Sequence, residues 1–210
     1  MSSFEPPIPS TPSDDLLQSW GYDLREEYCQ IAQGAALHPG AHVLEVASGT
    51  GRMTALLTRL GCSVTTGDVT QEKAEQLWQR VTPAYAHQVR LMLFDLRGLP
   101  FKTGSVGTVV CLNTLHELAE PRRSLEELLR VHDRSGTLVI GDFNETGFET
   151  MQKLHQAIYG NDHPLGSMKI SEVEPILRRH YVDVKVVLTP LNISFIASGK
   201  ASETSAINNC

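Results

Sequence analysis

The sequence predicts a doubly wound α/β domain, a seven-stranded and mostly parallel sheet with helices on both faces and an antiparallel hairpin at its end. Three observations carry this. From Ala41 onward, apolar runs of about five to seven residues alternate with helical segments of about ten to thirteen. The last two runs, VDVKVVLT and NISFIAS, are separated only by Pro190 and Leu191, whereas a parallel crossover needs roughly a dozen residues or more. A chain of 210 residues, 41% hydrophobic and 20% charged, suits a single globular core.

The elements follow in order. Residues 1–13 hold four prolines and four serines and read as a disordered leader. Leu16, Leu17, Trp20, Leu24, Tyr28, Ile31 and Ala35 then recur near helical spacing, with Asp14 and Asp15 in a first turn and Gly34, Pro39 and Gly40 near the end. This predicts a helical cap over 14–38. The strand AHVLEVA, helix RMTALLTRLG, strand CSVTTGD, helix TQEKAEQLWQRV and strand VRLMLFD come next. The series continues through SVGTVVCLN, PRRSLEELLRVHD, GTLVIGDF and SEVEPILRRHY to the hairpin. Residues 144–169 exceed an ordinary connection and contain a helix of their own, as a lid insertion would. Residues 199–210 are polar and read as a disordered tail, which leaves one domain over 14–198.

Composition narrows the function classes. The net charge of −6 gives no broad basic face, so nucleic acid is not an expected partner. Cys29, Cys62, Cys111 and Cys210 form no C-x-x-C pair, which suggests neither a zinc site nor a disulfide framework. The first residues show no basic-then-apolar signal pattern, and no apolar run approaches the ~20 residues of a membrane span. The expectation is a cytoplasmic protein acting on a small molecule, with no membrane span. Oligomeric state is not indicated.

The most informative stretch is VLEVASGTGRMT, residues 43–54. It reads as strand, tight turn and helix, and such a turn lets backbone approach a ligand at a helix N-terminus. Gly49 and Gly51 fit a G-x-G-x-x-G fingerprint, but Thr54 takes the third glycine position. Asp68 follows the second strand, seventeen residues after Gly51, where a carboxylate can accept both hydroxyls of a ribose. Glu45 precedes the glycines; an acid there repels a pyrophosphate and suits a positively charged cofactor.

The run EVASGTG, Glu45 to Gly51, resembles motif I of the class I S-adenosylmethionine-dependent methyltransferases, a Rossmann-like family. Asp68 matches the acid closing that family's second strand, and Phe94, Asp95 and Leu96 match the segment bordering adenine. Leu99, Pro100 and Phe101, with Val106 to Val110, match the approach to the fourth strand. NTLHEL, Asn113 to Leu118, with Pro121 and Arg122, is similar to the post-strand loop of the small-molecule group related to ubiquinone- and menaquinone-biosynthesis methyltransferases. The likeness covers residues 40–198. It implies that S-adenosylmethionine is the cofactor and S-adenosylhomocysteine the product. By position, Glu45 acts electrostatically on the cofactor, and Ala47, Ser48, Gly49 and Gly51 surround its methionine portion. Asp68 holds the ribose, Val69 packs the adenine, Asp95 and Leu96 border its amino group, and the Asn113 carbonyl accepts from the ammonium. Ala47 replaces the family's first glycine and is expected to be tolerated with a negative φ.

Methyl transfer from a sulfonium is an in-line displacement that demands alignment and a dry cavity. Where the acceptor must lose a proton, a base adds roughly 10²–10⁴-fold, and His116, with Glu117 beside it, is the candidate catalytic residue. Phe148, Met151, His155 and Tyr159 are spaced as one helical stripe and, with Tyr22, are candidate substrate contacts. His155 and His163, with Asp162 between them, lack a second tight pair of ligands, so no metal is expected. Two other functions share this architecture, an NAD(P)-binding oxidoreductase and a cofactor-binding interaction module without catalysis. The missing third glycine and Glu45 count against the oxidoreductase.

Overall fold

The computed structural model describes residues 7–200. Helices α1 (Pro12–Ser19) and α2 (Leu24–Gly34) lead into β1 (His42–Val46), α3 (Arg52–Arg59), β2 (Ser63–Asp68), α4 (Gln71–Glu75) and β3 (Val89–Leu93). The second half comprises β4 (Val106–Leu112), α5 (Pro121–Val131), β5 (His132–Phe143), α6 (Glu145–Tyr159), α7 (Val173–His180), β6 (Tyr181–Leu188) and β7 (Asn192–Lys200). The strands form one sheet in the order β3-β2-β1-β4-β5-β7-β6. Its first five members pair in parallel, and β7 runs antiparallel to both β5 and β6. The fold class expected from the alternating runs is the one observed.

Both faces of the central strands are buried, which is why they read as continuous apolar runs. Leu44, Val46, Val109, Cys111, Leu138 and Ile140 pack with Leu125 and Leu128 of α5 and with Val173 and Leu177 of α7. The alternate residues Val43, Val110 and Val139 pack with Tyr28 and Ile31 of α2 and with Met53 and Leu56 of α3. From β1 the chain proceeds outward to β2 and β3, and from β4 it proceeds the other way to β5. The carboxyl ends of β1 and β4 therefore border a topological switch point, where open α/β sheets hold ligands. Leu17, Leu24, Phe143, Met151, Leu154 and Leu191 form a third cluster, which joins α1 to α6 beside this point.

Four boundaries differ from expectation. The ordered domain begins before residue 14. Thr11 caps α1, with Pro12 at its first position and the Asp14 carboxylate accepting from the Thr11 N–H at 2.9 Å. Ile8 is buried, and the Pro7 carbonyl accepts from Arg59. At the other end β7 runs through Gly199 to Lys200; the rest of the tail, Cys210 included, lies outside the described residues. The helix expected over TQEKAEQLWQRV stops at Glu75 and tightens into a 3₁₀ turn at Gln76–Gln79, where the Leu77 backbone presses on Gly51 and Arg80 turns into a buried ion pair. Finally, β5 starts at His132, whose Nδ1 meets the Tyr181 hydroxyl at 2.8 Å. Residues 144–169 comprise α6 and the loop after it. Among the described residues, no helix is long and apolar enough to cross a membrane, and Cys29, Cys62 and Cys111 are free thiols.

Besides the β5–β7 ladder, a buried carboxylate ties the hairpin's turn to α2. Glu27 of α2 accepts from the Leu191 N–H at 3.1 Å, the Asn192 side-chain amide at 2.7 Å and the Thr189 hydroxyl. Glu27→Ala strands these buried donors, so urea unfolding should show stability reduced by about 2–4 kcal/mol.

Candidate functional site

The site is built first from backbone. Beyond β1 the chain enters the left-handed region at Ala47 (φ 54°), Gly49 (49°) and Gly51 (76°). A Cβ on Gly51 would stand 2.5 Å from the Leu77 carbonyl oxygen, so that position admits only glycine. The Gly51 N–H donates to the Ser48 carbonyl at 2.8 Å, and the Ser48 N–H donates to the Gly67 carbonyl at 3.2 Å, which pins the loop to β2. Beyond β4, Asn113 is also left-handed, at φ 52°. The negative φ expected at Ala47 is thus overturned, because the chain must turn sharply out of β1 there. An L-residue in this conformation costs roughly 1–2 kcal/mol, and such strain collects at functional sites.

Glu45 is buried at the tip of β1. The Thr54 hydroxyl, in the place of a fingerprint's third glycine, donates to its carboxylate at 2.5 Å. Burial raises the Glu45 pKa to about 7, the bond from Thr54 offsetting part of that rise. The carboxyl is therefore part protonated near neutrality, and an arriving cation would ionise it.

A second buried group flanks the loop. Asp14 accepts from Arg52 at 2.7 Å and from Arg80 at 2.7 Å. Burial alone would raise its pKa, but the two guanidiniums outweigh it and hold the carboxyl at about 2. Arg80 also reaches the Thr50 carbonyl at 3.1 Å and the Thr11 hydroxyl at 2.9 Å, locking α1 over the loop. Two cations against one anion leave local positive charge, and Arg52 faces the cleft. The Asn113 amide donates to the Tyr28 hydroxyl at 3.0 Å.

At the other end stands His116. Its Nδ1 lies 2.6 Å from Asp142 Oδ1, and its backbone N–H donates to Asp142 Oδ2 at 3.1 Å. Burial works to lower its pKa, but Asp142 and the nearby Glu117 carboxylate prevail and take it to about 9. His163 is pushed down to about 4 by burial and by His116. The rings of His116 and His163 lie 5.0 Å apart, those of His155 and His163 4.6 Å, and Phe148 meets His116 edge-on at 5.1 Å.

These groups border one cleft of about 470 Å³, within the usual range for ligand pockets. Glu45, Ala47, Ser48, Gly49 and Asn113 line it, as do Glu117, His155, Tyr159 and His163. His116 and Phe148 stand behind that wall, and Gly51 caps α3 beneath it. The structure does not bring the remaining expected residues into the cleft. Asp68 ends the neighbouring strand and accepts from the Val69 N–H at 2.8 Å, while Val69 is half exposed. Asp95 is held by Arg97 at 2.6 Å, and the Leu96 side chain is core. Tyr22 stands elsewhere: it lines an outer groove with Trp20 and α6 and packs against the third apolar cluster, and it does not line the cleft. Asp14, Arg52, Arg80, Asp142 and His163 were not among the expected site residues. Two of them carried a signal, Asp142 as an acid at the end of a strand like Glu45 and Asp68, and His163 through its spacing from His155.

Residues 44–140 match the family model described as a methyltransferase domain. A demethylmenaquinone methyltransferase of Clavibacter sepedonicus is 31% identical over 121 residues, 57% of this chain and 49% of that protein. One from Thermobifida fusca (strain YX) is 30% identical over 132 residues, 62% of this chain and 56% of that protein. The chain thus spans about half the length of the curated relatives it matches. Among solved structures, an S-adenosylmethionine-dependent methyltransferase from Aquifex aeolicus superposes with a TM-score of 0.60 at 22% identity, over 81% of this chain and 88% of that one. The motif resemblance and the family match both liken this stretch to a methyltransferase domain.

Two outcomes follow. Ala47→Gly relieves roughly 1–2 kcal/mol of strain against about 0.4–1 kcal/mol of added unfolded-chain entropy, so denaturant unfolding should show unchanged or slightly increased stability. The folded pKa of Glu45 lies above its ordinary 4.5, so the stability it contributes is complete below pH 4.5 and is lost as pH rises through about 7. Across that window the wild type should lose about 3 kcal/mol relative to Glu45→Gln, measured by urea unfolding at each pH.

Proposed function

We propose that this chain, built around that domain, transfers the methyl group of S-adenosylmethionine to a small-molecule acceptor and leaves S-adenosylhomocysteine. The observation that carries the proposal is Glu45, buried beside a left-handed loop and poised to ionise when a cation arrives. The cleft also fits the cofactor. Among the described residues, Ser48 Oγ, Asn113 Oδ1 and Arg52 Nε are buried without hydrogen-bond partners beside that loop, as expected where a polar ligand completes them.

In this proposal Glu45 compensates the cofactor's positive charge, while Ala47, Ser48, Gly49 and Gly51 present backbone to its methionine portion. Arg52 faces the carboxylate, and the Asn113 carbonyl accepts from the ammonium. Asp68 holds the ribose and Val69 covers the adenine; Leu96 contributes backbone, and Asp95 contributes once Arg97 yields. The cofactor supplies the electrophilic methyl group. The protein's task is to align it with the acceptor and exclude water. Phe143, Met151, Leu154 and Ile158 give the acceptor end apolar walls, and His155, Tyr159 and His163 give it polar ones. His116, fixed by Asp142, is the group placed to handle the acceptor's ionisable atom. A nicotinamide cofactor fits less well, because Glu45 would oppose its pyrophosphate. The net charge of −6 supports a small-molecule substrate over nucleic acid, and free thiols support a reducing, cytoplasmic setting.

Calorimetry and thermal shift test this. S-Adenosylhomocysteine at about 100 times its Kd should add about 2.7 kcal/mol of stability, and stabilisation by NAD(H) alone would reverse the conclusion. S-Adenosylmethionine binding near pH 7 should release protons and tighten as pH rises through 7, and Glu45→Gln should abolish both effects. Asp68→Ala should weaken cofactor binding strongly without changing Tm; unchanged affinity would remove the ribose assignment.

A further inference from the structure

The group at the acceptor end has the composition and geometry of a metal centre. Candidate donor atoms of His116, Glu117 and His163 all lie within 4.8 Å of one another. His116 Nδ1 is committed to Asp142 at 2.6 Å, which leaves Nε2 as the ligating nitrogen. That nitrogen has no hydrogen-bond partner among the described residues, although the side chain is only 2% exposed. Both ring nitrogens of buried His163 likewise lack partners there. Buried imidazole nitrogens are normally satisfied, and three orphans at one point call for a ligand. Glu117 Oε1 stands 3.6 Å from His116 Nε2, too far for a hydrogen bond. Donors bound tetrahedrally at about 2.0–2.2 Å lie about 3.3–3.6 Å apart. The carboxylate–histidine pair Asp142–His116 is also the arrangement that orients a metal-ligating imidazole and selects its tautomer.

We propose that His116 Nε2, the Glu117 carboxylate and one nitrogen of His163 bind a first-row divalent transition metal, with Asp142 orienting His116. Two nitrogens and one carboxylate suit such an ion. The loop after α6 is shaped to deliver His163. Its backbone N–H donates to Gln152 at 2.9 Å, and Gly166 packs so closely that a Cβ would stand 1.8 Å from the His116 carbonyl. Glu117 and His163 line the cleft while His116 stands behind them, so the ion's open positions face the acceptor. An acceptor oxygen there would complete the coordination, which points to a substrate with an ionisable hydroxyl. This last step rests on the methyl-transfer proposal; the metal site does not. His155 and His163, paired by sequence alone, pass over the site because His116 and Glu117 enter from a distant loop.

The test is titration of the chelator-treated full chain with Co²⁺, followed by its d–d absorption and by calorimetry. One equivalent should bind with visible bands. Glu117→Gln and His163→Asn should abolish the bands while leaving the Tm of the metal-free protein within error, and Asp142→Asn should weaken binding about 10- to 100-fold. Absence of bands, or bands unchanged in both ligand variants, would overturn the site. S-Adenosylhomocysteine affinity measured on the same samples separates the two proposals. Cobalt binding without nucleoside binding sinks the methyl-transfer reading alone, and the converse sinks the metal site alone.

Discussion

Strands β1 and β4 end side by side but lead the chain in opposite directions along the sheet, so right-handed crossovers send it to opposite faces, α3 on one and α5 on the other, and this constraint organises the molecule. Val46 of β1 and Cys111 of β4 are register partners. Just beyond them Ala47 and Asn113 both adopt left-handed backbone. Neither is glycine, so both turns are held against their intrinsic preference. The Asn113 N–H donates to the Gly141 carbonyl at 2.9 Å and its amide reaches Tyr28, while the Ser48 N–H fastens the Ala47 turn to β2. The gap between the two turns is the cleft, and α1 and α6 close over it through one shared apolar cluster.

Charge is distributed around that gap in two buried groups. On the α3 side Asp14, Arg52 and Arg80 carry excess positive charge next to a carboxyl, Glu45, that burial keeps partly neutral. A zwitterionic ligand with an added cationic centre complements this set. Its carboxylate would meet the guanidiniums, and its cations would draw Glu45 into ionisation. On the β5 side Asp142, His116, Glu117 and His163 form a compact set of opposite bias. Buried ionic groups cost desolvation energy and are weak devices for stability. Their concentration at the switch point is better explained by a ligand than by folding. The exposed Asp95–Arg97 pair is a different case, solvated and worth little to stability.

The architecture was legible because it rests on periodicity. Alternation of apolar runs and helices fixed the layers, and Pro190 and Leu191 fixed the antiparallel end. The glycine loop, Glu45 and Asp68 were legible because strand-end position is a local property. Less was legible where the deciding contact is long-range. Asp14 is an ordinary first-turn acid until Arg80, 66 residues later, folds back on it. His116 reads as a loop histidine until Asp142 supplies its partner 26 residues on. The positive φ at Ala47 is not legible for the same reason, since a single alanine carries no signal of the turn imposed by its neighbours. Tyr22, grouped with the α6 stripe from sequence, lies along an outer groove beside Trp20, a placement that depends on contacts between α1 and α6 distant in sequence.

The boundary of the family match divides the site by role. The matched residues 44–140 contain the glycine loop, Glu45, Asp68, Asn113 and His116. Asp142, His155 and His163 lie beyond that match, on the end of β5, on α6 and on the loop after it. The same division runs through the cleft, with the residues proposed to face the cofactor in the common stretch and the partners that fix the His116 ring, Asp142 and His163, outside it. A sheet that positions a nucleoside can serve many reactions, and what lies opposite the nucleoside selects among them. On the methyl-transfer proposal, the acceptor is therefore chosen by the His116–Asp142–His163 constellation, whose later members come from the part of the chain that the family model does not cover.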